Sequence, residues 1–173
     1  MKQSKKFSQK EYEYLLIDGM LGRLSRWLRI LGIKTIYLKE NSDEEIKNLV
    51  KTRKSLLITR DKNLAKSLEK SGMPVILVPQ GRFEYVLAYI CEKLGIEPKI
   101  DLNKTLCPLC GGRLKTVSKE KLQGKVPPKV LEIYTKFYVC EQCGHIYWLG
   151  THIKEMEKTI DKVRRIIYGK TIC

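Results

Sequence analysis

Between residues 14 and 95 the chain alternates short apolar runs with amphipathic stretches, and this alternation restricts the possible folds more than any other feature. Residues 14–17, 34–38, 55–59 and 75–78 are apolar or β-branched runs of strand length. The stretch after the first run places Met20, Leu21, Leu24, Trp27, Leu28 and Leu31 on one face of a 3.6-residue repeat. Arg23, Arg26 and Arg29 fall on the opposite side, and Gly32 supplies a C-terminal stop. Ser42 and Glu45 have capping-box spacing before Ile46, Leu49 and Val50. A third helix turns Leu64, Ala65 and Leu68 inward and stops at Gly72, and a fourth is expected over 83–94 with Gly95 as its stop. Strands separated by helices predict right-handed βαβ units around a parallel sheet. Uniformly apolar strands predict that both faces of that sheet are covered. The expected architecture is therefore a three-layer α/β domain over 13–101.

Beyond residue 101 the pattern changes. Cys107-Pro-Leu-Cys110 and Cys140-Glu-Gln-Cys143 are two Cys-x-x-Cys pairs with 29 residues between them. Tetrahedral zinc takes four thiolates at about 2.3 Å, and each such turn can present two. Gly111 and Gly144, directly after each pair, permit the tight turn that aims backbone N–H groups at sulfur. The reading is a small zinc-ribbon module over 102–153, with a basic insertion at 119–129 that holds Pro127 and Pro128. Four thiolates close a structural site, so His145 and His152 are not needed as ligands. Cys91 lies in an apolar helical stretch and reads as a buried small hydrophobe, while Cys173 is terminal and unpaired. Residues 154–173 read as a final helix with Met156, Ile160, Val163 and Ile167 on one face. Residues 1–12 read as a flexible, solvated basic leader.

Lysine and arginine outnumber aspartate and glutamate by 34 to 19, a formal charge of +15. That surplus favours polyanionic partners, nucleic acid first, although a lysine-rich surface also serves solubility. The ribbon adds Lys115, Lys119, Lys121, Lys125 and Lys136 beside Tyr138, Tyr147 and Trp148. Basic groups grip phosphates and rings stack on bases. The same aromatics could instead fill the ribbon's own core. No apolar run approaches the roughly 20 residues of a membrane span, and the N-terminal residues lack a secretory signal's apolar core. The expectation is a cytoplasmic location, where thiols stay reduced and paired cysteines suggest metal.

Three carboxylates fall just beyond the strands: Asp18 after the first, Asp43 beyond the second, Asp61 beyond the third. In a parallel sheet they share one edge, the edge at which open α/β sheets bind ligands. Carboxylates crowded together need a counter-charge. Mg²⁺ or Mn²⁺ would supply it and could activate water for phosphodiester displacement. Glu44 is a candidate fourth acid and Asp101 a weaker one, and Arg23, Arg26 and Arg60 are candidates to meet phosphates. Each acid also has a structural reading: Asp43, Glu44 and Glu45 suit a helix's first turn, and Asp61 could cap the next helix.

Several stretches in order resemble the Mut-seven C-terminal RNase domain family: Ile17-Asp-Gly-Met-Leu-Gly-Arg-Leu-Ser-Arg-Trp-Leu-Arg-Ile-Leu-Gly32, Ser42-Asp43-Glu-Glu, Ile58-Thr-Arg-Asp61, the Cys107-Pro-Leu-Cys110 knuckle, Val126-Pro-Pro and Tyr147-Trp-Leu-Gly-Thr-His152. The similarity runs from about residue 14 to 154. It implies a PIN-like nuclease fold followed by a zinc ribbon. It further implies that Asp18, Asp43 and Asp61 bind Mg²⁺ or Mn²⁺ for RNA cleavage, with water as nucleophile. The fourth acid of typical PIN sites has no clear counterpart. The function expected is a metal-dependent ribonuclease whose ribbon helps to hold RNA, with ribosomal and transfer RNA as candidate partners. The competing expectation is a non-catalytic RNA- or ribosome-binding protein on the same fold.

Overall fold

The computed structural model describes residues 7–169. Strands β1 (Tyr14–Asp18), β2 (Thr35–Leu38), β3 (Ser55–Thr59) and β4 (Val75–Leu77) form a parallel sheet in the order β2-β1-β3-β4. Helices α1 (Gly22–Ile30), α2 (Asp43–Thr52) and α3 (Lys62–Lys70) connect them, and α4 (Phe83–Leu94) follows β4. The chain first steps from β1 to β2, then reverses across β1 to β3 and β4. Right-handed crossovers therefore send α1 to one face and α2 and α3 to the other. Side chains follow this division. Leu15, Ile17, Leu56, Ile58 and Ile76 pack with α1 and α4, whereas Leu16, Leu57 and Val75 pack with α2 and α3. β3, flanked on both sides, is buried along its whole length. Each of these leucines and isoleucines contributes about 2 kcal/mol by leaving water.

The predicted strands and helices form within a residue or two of their expected ends, with local corrections. A 3₁₀ turn over Gly19–Leu21 precedes α1, and Met20, placed by periodicity on the apolar face, is 67% exposed. Arg29, placed by periodicity opposite the apolar face, is nevertheless 5% exposed, because the second module covers that side of α1. Of the expected leader, residues 1–6 lie outside the described residues. Residues 7–12 are docked: the Phe7 N–H donates to the Lys93 carbonyl, and Phe7 and Tyr12 pack on the main core.

β5 (Leu114–Val117), β6 (Phe137–Cys140) and β7 (Ile146–Trp148) make an antiparallel sheet in the order β5-β6-β7. The basic insertion folds as a 3₁₀ turn, Lys119–Leu122, followed by the short helix α5 (Pro128–Ile133). Proline in the first turn of α5 removes an N–H that would have no helical partner. Leu122, Val126 and Phe137 form a small core there.

The final helix, α6 (Thr151–Tyr168), starts three residues before the expected boundary at 154. It packs along α4, and Ile160 and Val163 join the main α/β core. The chain thus leaves the sheet domain, builds the ribbon and returns. Cys173 lies outside the described residues. Among the described residues no helix is long and apolar enough to cross a membrane.

Candidate active site and metal centre

The reversal of strand order falls between β1 and β3, the topological switch point at which open sheets form a crevice. Asp18 ends β1 and Thr59 ends β3. The Thr59 hydroxyl donates to Asp18 Oδ2, and the Asp61 backbone N–H donates to Thr59 Oγ1 at 2.9 Å. Asp61 Oδ1 accepts from the N–H groups of Asn63 and Leu64 at 2.7 and 3.0 Å, capping α3. The capping reading of Asp61 is therefore satisfied by one oxygen, and the same residue is tied through Thr59 to Asp18. Thr59 was not singled out in the sequence. Its only signal is a hydroxyl at the end of an otherwise apolar strand.

Gly19 lets the strand end turn closely. A Cβ there would lie 3.0 Å from the Leu38 carbonyl oxygen and 3.1 Å from that of Lys39. The Tyr37 hydroxyl donates to the Gly19 carbonyl at 2.7 Å, which fixes the turn against β2. Asp43 is the first residue of α2, on the same sheet edge, and is exposed, as is Glu44. Ser42 and Glu45 form the expected capping box. Asp101 lies elsewhere: it pairs with Lys104 and receives the Asn103 N–H.

Among the described residues none of Asp18, Asp43 and Asp61 is in an ion pair. The arginines expected beside them are not their partners. Arg23 lies over the Phe83 ring at 4.0 Å. Arg26 is exposed on α1, and its charge reaches Arg29. Arg60, between Thr59 and Asp61 in sequence, has a buried Nε–H with no acceptor among the described residues. An orphaned buried guanidinium N–H is costly. The three aspartates share the edge but, as placed, do not form a group of ligands around one point. Among the described residues the one group of three or more that could hold an ion is the cysteine cluster.

Cys107, Cys110, Cys140 and Cys143 bring their sulfurs within 4.8 Å of one another. The Gly112 N–H donates to Cys110 Sγ at 3.4 Å and the Cys143 N–H to Cys140 Sγ at 3.5 Å, as expected of thiolates presented by tight turns. Gly112 cannot carry a Cβ, which would lie 2.9 Å from Cys140 Sγ. The Tyr147 hydroxyl lies 3.1 Å from Cys107 Sγ. Burial alone would raise the Cys107 thiol, but hydrogen bonds from Tyr147 and from backbone N–H groups outweigh it and bring the thiol down to about 6. Burial pushes Cys110 up to about 12, and its neighbouring cysteines add to the rise. Four convergent sulfurs with donors aimed at them fit a tetrahedral soft-metal site such as zinc. Tyr147 thus serves the metal centre, while Trp148 is left at the surface against Tyr134.

Arg29 joins the two halves. Its Nε donates to Thr35 Oγ1 at 2.8 Å and its Nη2 to the Thr35 carbonyl at 3.3 Å. Nη1 donates to the carbonyls of Pro108 and Leu109 at 3.1 and 2.8 Å, inside the first cysteine turn. In return the Leu106 N–H donates to the Arg29 carbonyl at 2.9 Å. Its helical spacing gave no signal of this role, because an arginine on the polar side of a helix reads as solvated.

No curated protein and no solved structure matches the chain. The family model of the Mut7-C RNAse domain matches residues 13–160. That match takes in the whole parallel sheet, the three edge aspartates and all four cysteines, and the chain belongs to the Mut7-C RNAse domain family.

Proposed function

We propose that the protein is a metal-dependent ribonuclease that hydrolyses RNA phosphodiester bonds at the β1–β3 switch point. The carrying observation is the Asp18–Thr59–Asp61 chain of hydrogen bonds, with neither carboxylate in an ion pair among the described residues. Mg²⁺ is usually held by only one or two carboxylates, with waters and substrate phosphate filling the remaining positions. Asp18 and Asp61, with Asp43 on the same edge, are the residues that would hold Mg²⁺ or Mn²⁺. The ion would supply an activated water and neutralise charge on the phosphate. Thr59 orients Asp18 by donating to Oδ2, while Oδ1 accepts a long hydrogen bond from the Met20 N–H at 3.4 Å, and an ion would share or displace that bond. Arg60 and Arg23 neutralise phosphate oxygens, with Arg26 further along α1. The cysteine cluster performs no chemistry. It ties a basic module to the C-terminal end of α1 and the start of β2, at the end of the sheet opposite Asp18 and Asp61.

The test is cleavage of single-stranded and structured RNA with added Mn²⁺ or Mg²⁺. The wild type should cut, and Asp18→Asn should lose cutting while keeping its fold. Equal activity in the two removes Asp18 from the mechanism.

One observation favours a second reading, a non-catalytic RNA-binding protein on a nuclease-like fold. The three aspartates do not form a ready-made ligand cluster. That protein would bind RNA with affinity falling steeply in salt, through release of counterions, and would not cleave it whichever divalent ion is added.

A further inference from the structure

Between the ribbon and the first turn of α6 lies a cleft of about 390 Å³. Its walls include Tyr138, His145, Tyr147 and Trp148 from the ribbon and His152 from α6, so both of the chain's histidines face one cavity. Apolar side chains such as Ile30 and Ile100 complete the lining, which contains no carboxylate, lysine or arginine. The rings are held in place. His145 tilts over Tyr147 with centroids 4.8 Å apart, and Trp148 sits 6.5 Å from Tyr134. Gly150 leaves room for the indole, since a Cβ there would lie 3.3 Å from Trp148 Nε1. Among the described residues neither the Trp148 indole N–H nor the His152 ring has a hydrogen-bond partner.

We infer that this cleft receives one unpaired nucleobase of an RNA strand. The volume falls in the range of small-ligand sites. A wall of rings without lysine or arginine suits a flat heterocycle better than a phosphate, which would lose water there without meeting a lysine or arginine. Unfilled donors and acceptors on His152 and Trp148 match a base edge better than an aliphatic side chain. The phosphates on either side of that base would remain outside; Arg113 and Lys154, each adjacent in sequence to a lining residue, are exposed and in no ion pair among the described residues. Splaying bases onto aromatic side chains is the usual way to read single-stranded RNA. The inference rests on the RNA reading above but not on cleavage.

The experiment uses the full zinc-loaded chain without divalent ions other than zinc. Short single-stranded oligonucleotides are titrated against the intrinsic tryptophan emission, beside an oligonucleotide of equal length and charge with abasic positions. The expected result is quenching by the base-bearing strand, lost in Trp148→Phe, with affinity about tenfold weaker for the abasic strand and for His152→Ala. His152 is exposed, so its variant should fold. If the wild type binds both strands equally and Trp148 emission does not respond, the cleft does not take a base. Emission that changes with protein concentration alone would mean that a second copy covers the cleft, and would also overturn the inference. A wild type that binds no RNA at all would defeat the RNA reading itself.

Discussion

Arg29 Nη1 donates to the Leu109 carbonyl at 2.8 Å, across 80 residues of chain. This bond joins the first helix of the sheet domain to the turn that presents Cys107 and Cys110. The guanidinium is buried, yet its acceptors are carbonyls and a hydroxyl rather than a carboxylate. Burial lowers its pKa, and the charges of Cys110 and Cys107 push it back up. Zinc with four thiolates carries a net charge of about −2. Arg29 is placed to balance that charge from outside the ligand sphere.

Arg29→Met should therefore destabilise the protein by about 3 kcal/mol, since it strips several acceptors of a charged donor at a buried junction. Chemical denaturation of the zinc-loaded protein measures this, and zinc release to a chelating dye should become faster. An unchanged midpoint together with unchanged release would refute the docking role.

Zinc retention should depend on pH with a defined sign. Thiols must lose protons to bind metal. Cys107 is held below its ordinary 9.0, at about 6, so its thiolate stabilises the fold fully above that ordinary value. The stabilisation is lost as pH falls through about 6. Dialysis across pH 8 to pH 4 should show metal kept at neutral pH and released in acid. Retention of all metal at the acid end would contradict the assignment.

Chelation at neutral pH should expose the four ribbon cysteines to a thiol reagent while Cys91 stays unmodified. Cys91 is 1% exposed, and burial, helped by Glu92, pushes its thiol up to about 12. Rapid modification of Cys91 in the folded protein would show that the α4 core opens.

Thr59→Val keeps shape and removes the hydroxyl between Asp18 and Asp61. Stability should fall by about 1–2 kcal/mol, the loss expected of a buried hydrogen-bonded group. Under the proposed function, cleavage should fall about tenfold or more, as when the orienting partner of a metal ligand is lost. Undiminished turnover would show that Asp18 needs no orientation by Thr59.

Gly32→Ala should cost about 1–3 kcal/mol. Gly32 has φ of +80°, and a Cβ there would lie 2.9 Å from the Lys104 carbonyl oxygen. A melting temperature equal to that of the wild type would show that the segment around Lys104 yields easily.

By itself the sequence determined the alternation of strands and helices, the capping box at Ser42, the helix stops and the cysteine quartet. Each depends on spacing within one short segment, where periodicity or ligand geometry acts locally. It also put Asp18 and Asp61 at strand ends, because a charge after an apolar run has few places to go. Tertiary structure alone decided that β1 lies between β2 and β3, which joins Asp18 to Asp61 through Thr59. It also decided that Arg29 is buried and that α6 returns to the main core. Those outcomes depend on which surfaces meet across many residues of chain. An arginine on a polar helix face becomes a buried anchor only when another module folds over it and offers carbonyls at hydrogen-bonding distance.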